Sequence, residues 1–303
     1  MEILLETHIV PDLKKLETDY AETFLLKSDK LLAADRIRGM IISVKAMDGD
    51  NTIGLGIAEM EQDKDESEII SIVVLPEYQG KRIGTQIIKT LVANLEENGY
   101  EKAKIVYQTN WESFRFMKNH LSAHGWSGPE EVARVFTADI SQRGDEIMSL
   151  DLPDNQPFSV ETWENQPDER LKTLKKEIKK DPDIPSKLDP FKDDKLIAPK
   201  CSMVAVDNNR IVGWNMSYML GKELREYSNL FIHKEYRSRG GIWCLFVSSL
   251  KVQFSLGIPG IIGIIDAEYS AILDYYIRRI SNNQFNAYSH YQFVKKLILE
   301  NDR

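Results

Sequence analysis

The feature that most constrains this chain is that its second half repeats its first. Tyr236 stands 158 residues after Tyr78, and at that fixed offset the two halves line up without a gap through the helix and strand that follow. Glu77-Tyr78 falls on Glu235-Tyr236, Gln79 on Arg237, Gly99 on Gly257, and residues 104–108 on 262–266. The turn Asp48-Gly49-Asp50-Asn51 is mirrored by Asp207-Asn208-Asn209-Arg210, one residue out of phase. Agreement of glycine, tyrosine and element order over so long a period marks a tandem duplication. A chain of 303 residues has length for two ordinary domains, so each copy is expected to fold round its own core.

Hydrophobic periodicity gives the plan of one copy. Alternating or β-branched apolar runs predict strands over 2–6, 40–47, 52–60, 68–75, 104–108 and 131–140. Apolar residues three or four apart predict helices over 11–20, 24–38, 83–97 and 111–121. The Asp48 to Asn51 turn joins the second and third strands, and Asn98-Gly99 closes the third helix. The order β-α-α-β-β-β-α-β-α-β is that of an α/β protein. Polar residues 141–157, with Gly144, Pro153 and Pro157, predict an interdomain linker, so the domains are expected at 1–140 and 158–303. A Pro- and Asp-rich loop is expected over 181–199.

Composition removes several classes of function. With 42% hydrophobic and 28% charged residues the chain is that of a folded protein. A net charge of −8 argues against a general nucleic-acid binder. Cys201 and Cys244 have no metal-ligand spacing and suit neutral thiols in a reducing compartment; no metal is expected. The start, Met-Glu-Ile-Leu-Leu-Glu, is acidic, and no run approaches the ~18 apolar residues of a membrane span. A cytoplasmic protein away from membranes is expected.

The stretch from Leu75 to Gly84, Leu-Pro-Glu-Tyr-Gln-Gly-Lys-Arg-Ile-Gly, carries a strand into a helix through a short basic loop. A helix N-terminus offers unpaired N–H groups and partial positive charge, glycines allow close approach, and Lys81 and Arg82 add cations. The loop therefore suits a pyrophosphate, and it equally suits a solvated turn with an exposed basic pair. It is neither a P-loop nor a Rossmann fingerprint.

Gln79-Gly80-Lys81-Arg82-Ile83-Gly84 resembles the Gln/Arg-x-x-Gly-x-Gly/Ala loop of the GCN5-related N-acetyltransferases, the GNAT superfamily. The approach Val73-Val74-Leu75-Pro76-Glu77-Tyr78 and the strand 104–108 followed by Asn110-x-x-Ser113 extend the likeness. The resemblance implies two tandem GNAT-like acyl-CoA N-acyltransferase domains, each a mixed, mostly antiparallel sheet flanked by helices. It implies that the fourth and fifth strands splay apart. Backbone groups of Ile72, Val73 and Val74 would then pair with the pantetheine arm of coenzyme A. Gln79, Gly80, Lys81, Arg82, Ile83, Gly84 and Thr85 would hold its pyrophosphate, with Asn110 near the arm. In the second copy Arg237, Arg239, Gly240 and Gly241 take the corresponding roles.

Departures from the pattern matter. Arg82 stands where the family has glycine. Ile242 stands where it has Gly or Ala, unless Gly241 shifts the frame by one, so the first loop is the better preserved. The motif Asn-x-x-Ala-x-x-x-Tyr ends at Met117 in the first copy. In the second copy Tyr275 is present and the asparagine is Glu268. Tyr275 is thus a candidate general acid or an ordinary packed tyrosine. Glu59 and Glu68 are candidate bases or solvated carboxylates. His120 and His124, at the end of the helix after the fifth strand, are candidates near the thioester or cap residues. The function implied is transfer of acetyl from acetyl-CoA, or another acyl-CoA, directly to an amine of a small molecule or peptide. The alternative is a non-catalytic acyl-CoA sensor or interaction module, which Met117 and Ile242 would suit.

Overall fold

The computed structural model describes residues 3–10, 39–61, 65–111, 113–192, 194–269 and 286–297; the helices expected over 11–20 and 24–38 lie outside the described residues. The chain forms two compact units, one of residues 1–132 with 289–303 and one of residues 133–288.

In the first unit β1 (Leu4–Val10), β2 (Met40–Asp48), β3 (Asn51–Met60) and β4 (Glu66–Val74) form an antiparallel ladder in chain order. Helix α1 (Ile83–Glu97) then crosses the sheet and returns the chain as β5 (Lys102–Gln108), parallel to β4. Ile83, Ile87, Ile88, Leu91 and Leu95 recur three or four apart and bury one face of α1 against the sheet. Two glycines of β3 let the helix sit this close. A Cβ at Gly56 would lie 2.2 Å from Ile87 Cγ2 and 2.9 Å from Leu91 Cδ1. Helix α2 (Phe114–Ala123) follows, leading into β6 (Ser127–Asp139). Beyond β5 the sheet continues with the last strand of the chain, β12 (Asn286–Lys296), antiparallel to β5, and then with the first residues of β6.

The second unit repeats this plan. Residues 133–139 of β6 lead to α3 (Gly144–Met148), β7 (Ser159–Thr162), α4 (Asp168–Ile178), β8 (Met203–Asp207), β9 (Arg210–Met219) and β10 (Leu224–Ile232). The short α5 (Lys234–Arg237), helix α6 (Gly241–Ser255) and β11 (Gly260–Asp266) complete it. The sheet order is β6-β11-β10-β9-β8-β7, with β10 and β11 parallel and the other registers antiparallel. The strands of each unit thus form a mixed, mostly antiparallel arrangement, as expected. The units are not consecutive segments, in contrast to the ranges 1–140 and 158–303. The outer edges of β5 and β11 each need a partner, and β12 and residues 133–139 supply them.

Residues 141–157 are more than a polar connector. Ile140 and Ile147 are buried with Trp243 and Leu250, Trp243 Nε1 donates to the Asp151 carbonyl (2.9 Å), and Lys251 Nζ donates to the Leu150 carbonyl (2.8 Å). This cover explains why α6 is apolar nearly all round, whereas α1 keeps an exposed polar face. The 181–199 loop likewise packs inward: Ile184 and Leu188 join Trp214 and Phe231 in a second core cluster, and Trp214 Nε1 donates to the Leu188 carbonyl (3.1 Å). Cys201 and Cys244 are free and buried, and burial pushes both thiols up, so neither is a thiolate at neutral pH. Among the described residues no helix is long and apolar enough to cross a membrane.

Candidate acyl-carrier site

In the first unit the geometry begins where β4 leaves β5. Their parallel register covers residues 66–69 opposite 102–105 and goes no further, while β4 stays paired with β3 up to Val74. The register shift between Ile57 and Ala58 leaves Ile70 as an extra residue in β4, a bulge at the point of divergence. Ile72, Val73 and Val74 therefore lie on a strand paired on one side only. Backbone groups of a strand alternate in direction. The Leu75 amide bonds the Ile53 carbonyl on β3 (2.9 Å), and the Val74 carbonyl is turned away from β3, where Gln79 Nε2 donates to it (3.0 Å).

The loop is pinned at both ends. Tyr78 donates its hydroxyl to Asp48 Oδ2 (3.1 Å), which ties the loop to the β2–β3 turn, and Lys81 Nζ lies 4.7 Å from the Tyr78 ring centroid. Gly80 and Arg82 adopt left-handed φ of 76° and 64°. The first intrahelical bond of α1 runs from the Gln86 amide to the Arg82 carbonyl (3.1 Å), so the amides of Ile83, Gly84 and Thr85 have no helical partner. No side chain caps them. Ile83 is buried and fixes the helix start, while a Cβ on Gly84 would come no closer than 3.7 Å to Val74 Cγ2 and 4.0 Å to Ile72 Cγ2. Gly84 thus leaves the helix end bare above the free stretch of β4. Arg82 bears a Cβ in a conformation that favours glycine. Replacing it by glycine is expected to raise unfolding stability by about 1 kcal/mol in denaturant titration, while removing one cation from the loop.

The second unit reproduces this construction at the same offset. Ser228 is the bulge residue of β10, and the β10–β11 register ends at Tyr227 and Gly263. Arg237 Nε donates to the Ile232 carbonyl (3.1 Å) as Gln79 does to Val74, and Tyr236 donates to Asp207 Oδ2 (2.7 Å) as Tyr78 does to Asp48. The carboxylate bonded to it, and partial burial, push the Tyr236 phenol up to about 12. Gly240, with φ 74°, takes the place of Arg82, and Cys244 N–H bonds its carbonyl (2.9 Å). Gly241 therefore matches Ile83 and Ile242 matches Gly84, so the frame does not shift. A Cβ on Gly241 would lie 2.2 Å from Ile232 Cδ1, and one on Gly240 would meet Pro153 Cγ at 3.0 Å. Arg239 is exposed. The opening between β10 and β11 is a cavity of about 170 Å³ walled by Tyr227, Phe231, Phe246 and Ile264, with Ile242 and Arg237 also lining it. Asn215, also on its wall, donates Nδ2 to Ser249 Oγ (2.9 Å), and its buried Oδ1 has no hydrogen-bond partner.

The expected proton carriers are less concentrated. Glu59 and Glu68 face each other across β3 and β4, before the bulge, on the paired stretch of the strands. Glu59 Oε1 accepts the Gly39 amide (3.0 Å). Glu68 lies 3.8 Å from Lys104 Nζ, with Glu66 at 3.0 Å. Burial works against the Lys104 charge, but Glu68 and Glu66 outweigh it and hold its pKa above the ordinary value. Met117 is half-buried against the core of the first unit, and Asn110 is exposed in the turn after β5. Tyr275 lies outside the described residues. His120 is placed where sequence spacing gave no sign of it: its Nε2 is 3.1 Å from Thr85 Oγ1, at the bare end of α1. Burial, then His124 and Lys89, hold its pKa below the ordinary value. Asp48 and Asp207, which anchor the two loops, were legible only as turn residues. Among the described residues no three His, Cys, Asp or Glu side chains cluster as metal ligands.

A splayed strand pair facing a helix end with no side-chain cap is built twice in this chain. Residues 4–120 match the model of the Acetyltransferase (GNAT) family. The chain as a whole has a tandem GNAT fold. A GCN5-related N-acetyltransferase from Sphaerobacter thermophilus aligns over 98% of this chain and 97% of its own, with a TM-score of 0.67 at 15% identity. A tandem GNAT protein from the clavulanic acid biosynthesis pathway aligns over 96% and 98%, with a TM-score of 0.71 at 11% identity. A GCN5-related glucosamine N-acetyltransferase region of a fungal multi-domain β-N-acetylglucosaminidase aligns over 97% of this chain and 38% of that one, with a TM-score of 0.70 at 13% identity. No curated protein matches the sequence.

Proposed function

We propose that this protein is an acyl-CoA-dependent N-acyltransferase that takes acetyl-CoA as donor and acylates an amine of a small molecule or peptide. The observation that carries this reading is the free edge of residues 72–74 directly beneath the uncapped amides of residues 83–85. An extended amide-bearing arm can add to that edge as a strand would, while its diphosphate meets the helix end. Gln79, Gly80, Lys81, Arg82 and Thr85 complete the proposed cradle, with Asn110 beside the arm. In the reaction the amine nitrogen bonds to the thioester carbonyl carbon, the carbon–sulfur bond breaks, and the amine proton ends on the released thiol. Deprotonating an alkylammonium of ordinary pKa at pH 7 requires about 4–5 kcal/mol. Glu59 and Glu68 are the proposed proton acceptors in the first domain; Tyr275 becomes the proposed donor where acetyl-CoA is found to bind the second. Holding amine and thioester together supplies roughly 7–11 kcal/mol, so Met117 in place of a tyrosine does not preclude turnover.

The second domain is proposed as an accessory or degenerate cofactor domain, since Ile242 lines its gap and Pro153 stands against Gly240. Met117 and Ile242 also favour a second reading, an acyl-CoA sensor without turnover. One assay separates the two. Thiol release from acetyl-CoA is followed with a panel of polyamines, aminoglycosides, amino acids and peptides. Amine-dependent release supports the transferase; saturable binding with no release for any amine supports the sensor. Cytoplasmic action on a soluble amine, without nucleic acid, membrane or metal, belongs to the same proposal.

A further inference from the structure

The cavity between β10 and β11 is walled by four aromatic rings, Phe136, Tyr227, Phe231 and Phe246. Phe246 stands edge-on to Phe136 and to Tyr227, with centroids 6.2 and 5.7 Å apart. The Tyr227 hydroxyl donates to Gln253 Oε1 (2.6 Å), so its polar end is already satisfied. The two charged residues on the lining, Asp266 and Arg237, are engaged at its outer end. Asp266 pairs with Lys187, which also holds Glu268 (3.1 Å), and Arg237 Nε donates to the Ile232 carbonyl (3.1 Å). Lys187 lies between Pro185 and Leu188, two more lining residues, so its ion pairs hold that loop against the cavity. One polar group on the wall is unmet. Asn215 is fully buried. Ser249 Oγ donates to the Leu245 carbonyl (3.0 Å) and accepts Asn215 Nδ2 (2.9 Å), so Oδ1 is the atom left over, with no partner among the described residues. A buried amide oxygen without a donor calls for a donor from elsewhere.

We propose that this cavity is a binding site for a small neutral aromatic molecule, of the class of a methylphenol, that gives its single O–H or N–H hydrogen to Asn215 Oδ1. Size, wall chemistry and the unmet acceptor each point to it. A dry cavity of ~150 Å³ lined by Leu, Ile and Phe takes up benzene, and about 170 Å³ leaves room for a ring with substituents. Rings already packed edge to face favour another ring between them. An ionic ligand would leave water for apolar walls whose charged neighbours are already paired. Ser228, half-buried on the wall, can turn its hydroxyl either way and sets no demand of its own. The features that would admit an acyl carrier are filled instead: Ile242 lines the gap where the first domain has Gly84, and Pro153 stands against Gly240. The proposal does not depend on where the first domain holds its carrier.

The test is ligand-observed NMR titration of the full chain with p-cresol, toluene and p-toluate, for wild type and Asn215→Leu, with and without saturating acetyl-CoA. Toluene keeps the shape of p-cresol without the donor, and p-toluate adds a charge. Wild type is expected to bind p-cresol at least tenfold more tightly than p-toluate. Asn215→Leu is expected to shift the ratio of p-cresol to toluene affinity about tenfold toward toluene. Hydrogen exchange of the wild type with p-cresol is expected to gain protection within residues 228–232 and 262–266, which locates the site even if the variant does not fold. No binding of p-cresol, protection elsewhere, p-toluate binding as tightly, or an unchanged ratio in a folded Asn215→Leu overturns the proposal. Displacement of p-cresol by acetyl-CoA also overturns it, by putting the carrier in this cavity. If acetyl-CoA binds nowhere, the transferase reading fails while the p-cresol result decides this site on its own.

Discussion

Gly84→Trp is expected to weaken acetyl-CoA binding at least a hundredfold while leaving the first domain folded. The position is half-exposed, and a Cβ there meets nothing closer than 3.7 Å, so the side chain need not enter the core. It would instead lie over the amides of residues 83–85 and the free edge of residues 72–74, the two surfaces assigned to the diphosphate and the arm. A helix-end anion site acts through backbone groups at close range, and a bulky side chain between them and the ligand removes that contact. Calorimetry with acetyl-CoA, paired with circular dichroism, reads both halves of the expectation. Unchanged affinity in a folded variant would remove the cradle from the first domain.

Gly263→Val carries the largest expected effect on stability, a loss of about 3 kcal/mol. A Cβ at this position would come within 1.8 Å of Phe136 Cε1 and 2.0 Å of Cζ. Phe136 is itself buried, edge-on to Phe246, and walls the cavity. Phe136 also lines the gap between β10 and β11, so a ring displaced toward that gap is expected to fill it. Denaturant unfolding of the second domain reads the first effect. A loss under 1 kcal/mol would mean that Phe136 has another resting place and that Gly263 is not what holds the gap open.

Much of this was legible in the sequence because the duplication doubled every signal. The bonds Tyr78–Asp48 and Tyr236–Asp207 recur at the offset that lined up the loops, including the one-residue phase difference of the turns. The α1 stripe, the Gly99 and Gly257 helix ends and the left-handed Gly240 follow from local chemistry that needs no knowledge of the rest of the chain. What was not legible depends on distant partners. Nothing in residues 289–296 says that they pair with β5, because any apolar strand satisfies an open edge. Residues 141–157 looked like a connector because the few apolar residues that pack, Ile147 and Leu150, are diluted among charges. The Thr85–His120 contact is set by how two helices pack, which spacing within either helix does not encode. Ile242 could be placed only once Gly240 was seen to hold the left-handed position.

In the proposed function the acyl carrier lies along β4 of the first domain with its diphosphate at the start of α1. Hydrogen–deuterium exchange with and without saturating acetyl-CoA tests it most directly, since it reports backbone amides in both domains at once. New protection is expected to be confined to residues 70–75 and 79–86, with residues 228–233 and 237–244 unchanged. Protection of the second set with none in the first would contradict it and move the acyl-carrier site to the second domain.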